Sequence, residues 1–321
     1  MFRSILLAIA CLLAGPMTAW PQEYPVKPVR VIVGFPAGGG SDLIARLVSQ
    51  KLTATLGQPV VVENRPGASA NIAAELVARA APDGYTLLFG NSSLSISPAV
   101  FRKLSYDPVR DLAPISMASS YPFALAVHPS LPVRSVKELV ALAKAKPDAL
   151  AYASAGAGTM SHMAMELLRL RIGGARIQHL PYKGAAPASI SLISGETQLA
   201  FLVMPVAAAQ VKAGKLRGLA VAAPERSAAA PQMPTMREAG IAGHEAVQWN
   251  GMFAPARTPQ AILDRLHREV AKAVHLPDVR QRFESEGAAP VGNTPGEFAA
   301  FYRAEAEKWA DVAKRSGTKL D

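Results

Sequence analysis

Residues 29–46, VRVIVGFPAGGGSDLIAR, and residues 150–166, LAYASAGAGTMSHMAME, share one pattern. Each is an apolar run, then a glycine-rich turn ending in small polar residues, then the start of an amphipathic helix. A short apolar run bounded by turn residues reads as a buried strand, and glycine gives the backbone freedom to reverse. The first N–H groups of the helix that follows have no partner inside the helix and lie at the positive end of its dipole. Each copy therefore presents donors where an anion is favoured. Two such ends, one from each half of the chain, can clamp one anion between two lobes without any catalytic group.

Outward from the first copy, Leu43, Ile44, Leu47, Val48 and Leu52 share one helical face, and Gly57 ends the helix. VVVE (60–63) is a β-branched strand, NRPGASANIAAELVARA (64–80) a turn opening a helix, and PDGYTLLFG (82–90) a turn leading into a third strand. This βαβαβ rhythm predicts a parallel sheet with helices on both faces.

Around the second copy the rhythm repeats. ALAVH (124–128) reads as a strand, and SVKE (135–138) as a capping box opening a helix that stops before Pro147. RIQHLPYKG (176–184) is a strand ending in a turn at 181–184, and QLAFLVM (198–204) and LRGLAVAA (216–223) supply further strands. TPQAILDRLHREVAKAV (258–274) predicts a helix with Thr258 as cap and Pro259 at its first position. TPGEFAAFYRAEAEKWADVAK (294–314) opens with a second capping box. No long linker separates the units, so the chain is expected to cross between lobes near 122–125 and 245–250, forming a hinge. The division expected is 21–123 with 248–321 as one lobe and 124–247 as the other.

The amino terminus reads as a secretory signal over residues 1–20. Arg3 precedes SILLAIACLLAG (4–15), too short to span a bilayer, followed by Pro16 and small residues. Cleavage is expected near Ala19 or Trp20, although Met17 or Trp20 falls where a small residue is preferred. The single cysteine, Cys11, lies inside this segment. Lipid modification at Cys11 is the alternative, at the cost of a shortened apolar region. Either way, the segment beyond it has no cysteine for a disulfide or a thiol nucleophile. About 300 residues remain, enough for two lobes with their own cores.

The formal charge of +10 is spread without a run of three basic residues, and aromatics make up 6 %. A nucleic-acid groove would cluster both. The charge reads either as a field that attracts anions or as a solvated basic surface. GAGTMS (156–161) lacks the last glycine of a dinucleotide fingerprint, and no acidic residue on a following strand is placed to hold a ribose. Ser154 sits in YASAG rather than GxSxG, with no Asp/His pattern beside it. Carboxylates fall in capping boxes or on helix faces with Lys or Arg, and the six histidines lack zinc-site spacing. No enzyme, cofactor or metal site is therefore expected.

Taken in order, FPAGGGSDLIAR, VVENRPGASANIAAE, PDGYTLL, YDPVRDLAPIS, HPSLPVRSVKELVALAKAKP, YASAGAGTMSHMAMEL, PYKGAAPA, KAGKLRGLAVAAPERS, MPTMREAG and WNGMFAPARTP closely resemble the tripartite tricarboxylate transporter substrate-binding proteins, the Bug or TctC-like receptors. The resemblance runs along essentially the whole chain after the signal. It implies an α/β, two-lobed periplasmic-binding-protein (Venus flytrap) fold, each lobe a sheet flanked by helices with a hinge between. It further implies a periplasmic monomer that captures a small organic carboxylate in the cleft: a di- or tricarboxylate, an aromatic acid or an acidic amino acid. The receptor would hand it to a membrane permease of one large and one small subunit; presentation to a sensor kinase is the alternative.

Carried over by the resemblance, the first-loop site is Phe35, Ala37, Gly38, Gly39 and Asp42. Backbone groups of 35–39 would meet the carboxylate, while Asp42 caps the helix and orders the loop. From the second lobe come Ser154, Gly158, Thr159 and His162, with Tyr182, Lys183 and Gly184 at the rim, Tyr182 and Gly184 ranking first. Ser92 and Ser93 read equally as contacts or turn residues, and Trp249 as packing. Two departures stand out. GASA (67–70) replaces the family's GAGG, and VMPV (203–206) lacks the polar or acidic residue often found beside that cleft loop. The second turns the expectation from amino acids toward plain carboxylic acids.

Overall fold

The computed structural model describes residues 24–285 and 287–320. The signal expected at 1–20, with Cys11, lies outside them. Strand β1 (Val29–Val33) runs through the interior, its Val29, Val31, Ile32 and Val33 fully buried. It is paired in parallel with β2 (Val60–Asn64) and β3 (Thr86–Asn91). Period-two alternation sends Val31, Val33, Leu87 and Phe89 to one face and Ile32 and Leu88 to the other. Both faces are apolar, so helices cover both. Helices α1 (Gly40–Leu56) and α2 (Asn71–Ala78) follow β1 and β2, and α3 (Ser93–Val100) follows β3. Helix α1 ends at Gly57 in the left-handed conformation, but Leu43, counted on its buried face, is exposed.

The expected all-parallel pairing gives way to antiparallel pairing at two further strands. Strand β4 (Leu112–Val127) is sixteen residues long, and β9 (Val247–Pro255) lies antiparallel between β3 and β4. The first part of β4 pairs with β9 and with β10 (Ala289–Pro290). Its last five residues pair instead with β7 (Leu199–Val203) and β8 (Arg217–Val221). One strand thus belongs to both sheets. In the second sheet β5 (Ala151–Ser154) lies parallel between β7 and β6 (Gln178–Pro181). Its helices are α4 (Val136–Ala145), α5 (Met160–Arg171), α6 (Ala185–Ser194) and α7 (Met204–Lys212). The chain returns through α8 (Gln260–Val274) and α9 (Pro277–Ser285) and closes with α10 (Pro295–Ser316).

Capping follows the sequence in part. Thr294 and Glu297 form the full reciprocal box at α10. Ser135 accepts from the Glu138 N–H, but the Glu138 carboxylate reaches one residue further back, to the Arg134 N–H at 2.7 Å. At α8 the cap position is Pro259 and not Thr258, whose buried hydroxyl has no hydrogen-bond partner.

Trp249 fills the first core, with Phe253, Phe298, Phe301 and Tyr302 at centroid distances of 5.5 to 6.2 Å. Gly251 lies beneath them. A Cβ there would stand 2.4 Å from the Phe298 ring and 3.1 Å from the Ser116 carbonyl. Gly251→Ala should therefore cost about 1–3 kcal/mol by overpacking, read as a lower urea midpoint with unchanged slope. The second core, around Tyr152, Met163, Leu167 and Phe201, also takes Ile96 and Val100 from α3 and Trp309, Val312 and Ala313 from α10.

Candidate functional site

Open α/β sheets bind ligands outside the carboxyl ends of their parallel strands. Here β1, β2 and β3 in one sheet and β5, β6 and β7 in the other each deliver the chain to the start of a helical segment at that end. The two sets face each other, because their loops touch. The Ser69 hydroxyl, on the loop after β2, donates to the Ala157 carbonyl on the loop after β5 at 3.0 Å. A second rim contact brings Gly287 against Pro205 at the start of α7.

The loop from β1 to α1 carries Phe35, half-buried, and Ala37, Gly38 and Gly39, all exposed. Its shape is set from behind by Asp42, 1 % exposed. One Asp42 oxygen accepts from the Gly38 N–H at 2.9 Å and Arg46 Nε at 3.0 Å, the other from Asn64 Nδ2 at 2.8 Å. Asn64 Nδ2 also donates to the Phe35 carbonyl at 3.0 Å. Burial raises the Asp42 pKa, but the bonds from Arg46, Gly38 and Asn64 outweigh it and hold the carboxyl below its ordinary range. Asp42 is therefore placed as the organiser of the loop. The N–H groups of Gly40, Ser41 and Asp42 precede the first helical bond, from Leu43 N–H to the Gly39 carbonyl. They are the donors this end offers.

Under that first turn lies a polar chain the sequence does not reveal. Ser41 Oγ donates to Asn250 Oδ1 at 2.9 Å, Asn91 Nδ2 reaches Ser41 Oγ at 3.4 Å, and Asn250 Nδ2 donates to Ser119 Oγ at 3.2 Å. Its members come from α1, β3, β9 and β4, so no local spacing marks them. The Tyr121 hydroxyl stands 3.9 Å from where a Gly40 Cβ would be. Ser92 is fully buried, its hydroxyl donating to Gln248 Oε1 at 2.9 Å and its N–H to the Trp249 carbonyl. Ser93 is buried too, its N–H on Asn91 Oδ1.

The loop from β5 to α5 holds itself in the same way. Thr159 Oγ1 donates to the Gly156 carbonyl at 2.7 Å, and Ser161 Oγ accepts from the Ala155 N–H at 3.0 Å. The Gly158 N–H donates to His162 Nδ1 at 3.1 Å. Gly158 itself packs against Leu320 and Val100, which a Cβ would approach to 3.0 and 3.2 Å. Gly158 and His162 thus hold one another. The N–H groups of Met160, Ser161 and His162 precede the first helical bond, from Met163 to the Thr159 carbonyl.

Beneath the loop the rings of His162, His179 and Tyr152 stack, with centroids 4.1 and 4.7 Å apart. The Tyr152 hydroxyl donates to Glu166 Oε1 at 2.8 Å, and Arg169 donates to both Glu166 oxygens. Burial first, then Arg169, pushes the His162 pKa down to about 4. Burial and the neighbouring His162 push His179 down to about 3. Both rings are neutral near pH 7, and Nδ1 of His162 accepts, so its proton sits on Nε2.

Ser154 has a partner that sequence reading did not find: its Oγ is 2.6 Å from His179 Nε2. The hydroxyl is 1 % exposed and also 3.2 Å from the Gly156 carbonyl and N–H. An imidazole with a pKa near 3 is a poor base for activating such a hydroxyl. Tyr182 is half-buried, its N–H on the Ser154 carbonyl. The Gly184 N–H bonds the Ala155 carbonyl, and its φ of +114° starts α6. Lys183 is exposed. Neither glycine loop, 34–41 or 154–161, contains a Lys or Arg, so backbone dipoles supply the positive potential at both ends.

Two sheets sharing one crossing strand, with helix starts gathered where their loops meet, define a two-lobed binding protein of the periplasmic type. The sequence profile of the tripartite tricarboxylate transporter family receptors, TctC, matches residues 44–318, and the chain belongs to that family. It is 37 % identical to protein BugT of Bordetella pertussis over 310 residues, 96 % of this chain and 94 % of BugT. Its structure superposes on R. palustris Rpa4515 with adipate at a TM-score of 0.84, with 34 % identity, covering 93 % of this chain and all of the other. MatC from Rhodopseudomonas palustris with bound malate gives 0.82 and 33 % identity, covering 90 % of this chain and 99 % of MatC.

Proposed function

We propose that this protein is an exported periplasmic receptor that captures a small organic carboxylate between its lobes and delivers it to a tripartite tricarboxylate-type permease. The observation that carries this reading is the pairing of α1 and α5. Both helices start at the carboxyl ends of parallel strands, on the side where loops of the two lobes meet through Ser69 and Ala157. Neither glycine loop carries a cation, an arrangement that suits a carboxylate better than a cation. The adipate and malate held by the two solved relatives support the same ligand class. Contact is assigned to the backbone from Phe35 through Ala37, Gly38 and Gly39 to Ser41, and to the 156–161 loop with Thr159. Asp42, Ser92, Ser154, Gly158, His162, Tyr182 and Gly184 shape those loops.

Closure is taken to bend the chain where β4 changes partner, at Pro122 and Phe123 opposite Val247 and Ala246. A hydrophobic VMPV at 203–206 offers nothing to pair a ligand ammonium, so plain acids are preferred over amino acids.

A thermal-shift screen with malate, adipate, citrate, benzoate and glutamate tests this. A site filled at 100 times its dissociation constant gains about 2.7 kcal/mol, a shift of several degrees, for at least one of the first four. No shift at millimolar concentration for any of them would overturn the reading. Loss of uptake of that acid in a strain lacking the gene tests delivery.

A further inference from the structure

We propose that Ser69 is a latch whose cross-cleft hydrogen bond sets how long the lobes stay closed. The inference rests on the molecule being a receptor that opens and closes, whichever ligand it takes. Three consecutive L-residues, Ala68, Ser69 and Ala70, have φ of +46°, +52° and +76°, after Gly67 at +136°. Left-handed backbone is unfavourable for each of them, and such strain persists only where the surroundings impose it.

The surroundings do so here. Asn71 Nδ2 donates to the Ala68 carbonyl at 2.7 Å, and the Tyr106 hydroxyl donates to Asn71 Oδ1 at 2.7 Å. Ala70 is buried in the space a side chain on Gly34 would need, 2.3 Å from the would-be Cβ. The Ala70 N–H closes the turn on the Gly67 carbonyl. From this clamped and strained turn the hydroxyl of the half-buried Ser69 crosses to Ala157. Ala157 lies inside the second glycine loop, between Gly156 and the Gly158 that His162 holds. The latch therefore joins two pre-set loops, and it forms only when the lobes meet. A glycine at position 69 would be relaxed but could not donate.

Small-angle scattering of the ligand-free exported protein, with stopped-flow dissociation of malate and adipate, tests the proposal on Ser69→Gly and Ser69→Asn. One neutral hydrogen bond shifts the open-to-closed ratio by about 2- to 10-fold. Ser69→Gly should melt no lower than wild type, because strain is relieved, yet show a larger radius of gyration and release the acid 2- to 10-fold faster at an unchanged association rate. Ser69→Asn tolerates the left-handed backbone and keeps a donor, so it should stay near wild type. A merely structural Ser69 would instead lower the melting temperature with scattering unchanged, and that result overturns the latch. If neither acid binds wild type, the scattering comparison alone decides the latch, and the carboxylate reading is judged by the full thermal screen.

Discussion

Gly38→Val is expected to weaken carboxylate binding by about 10- to 100-fold or more while leaving the fold intact, measured by isothermal titration with whichever acid the thermal screen identifies. Gly38 sits at φ +80°, with open space where a Cβ would project. The penalty is therefore conformational rather than a clash with neighbours. A β-branched residue avoids this region, so the peptide rotates and pulls its N–H from Asp42. That bond ties the loop to α1, and the Asn64 bridge to Phe35 and Asp42 depends on the same geometry. Losing even one charge-assisted bond to the captured anion costs about 1.5–3 kcal/mol. Gly38→Ala should fall between wild type and valine. Normal affinity in the valine variant would mean that the first loop does not grip the ligand.

Acid should destabilise the protein well above the carboxylate range. His162, His179 and His244 are held at about 4, 3 and 4, against 6.5 when unfolded. For His244 burial dominates, since the ring lies stacked on Phe201 with Nε2 on the Ala164 carbonyl. Below pH 6.5 the unfolded chain binds protons that the folded chain refuses. Stability is therefore complete above 6.5 and falls as pH drops toward the folded values. Three such groups allow a slope of up to about 4 kcal/mol per pH unit. Asp42 works in the same direction but in a lower window, because its depressed pKa removes stability only as the pH enters the carboxylate range. Urea midpoints between pH 7 and 5 thus isolate the histidines. A flat midpoint over that interval would contradict the buried neutral stack, and His179→Gln should flatten the slope by about a third.

Which parts were readable follows from how local their causes are. Strand β1, helix α1 and the Thr294 box each declare themselves within a few residues. The long strand β4 did not, because Pro114, Ser116, Ser119, Ser120 and Pro122 break its apolar pattern; only its apolar end at 124–127 stood out. Helix α3, SLSISPAV with Pro98 inside, has weak local preference and is held by burial in the second core. The glycine loops were visible because glycine and small polar residues are local signals. The Ser41, Asn91, Asn250 and Ser119 chain joins residues as many as 209 apart, and only the folded sheet assembles it. Likewise, the resemblance named Gly158 and His162 as ligand contacts, while the hydrogen bond from the Gly158 N–H to His162 Nδ1 is visible only once the loop is folded. The GASA segment did register as a departure, though not that its three non-glycine residues would all adopt positive φ.

Helix α10 begins among Phe298 and Tyr302 in one core and ends with Trp309, Val312 and Ala313 in the other, while α3 adds Ile96 and Val100 to the second. Between the two, Glu305 accepts from Trp309 Nε1 at 2.8 Å and from Lys308 at 3.0 Å. The segment 124–247 made alone would lack these apolar side chains and leave a hole in its interior. That half is then not a free-standing folding unit. The receptor must be built, kept and turned over as a single piece, and a nick in the last helix would loosen the distant lobe along with the near one.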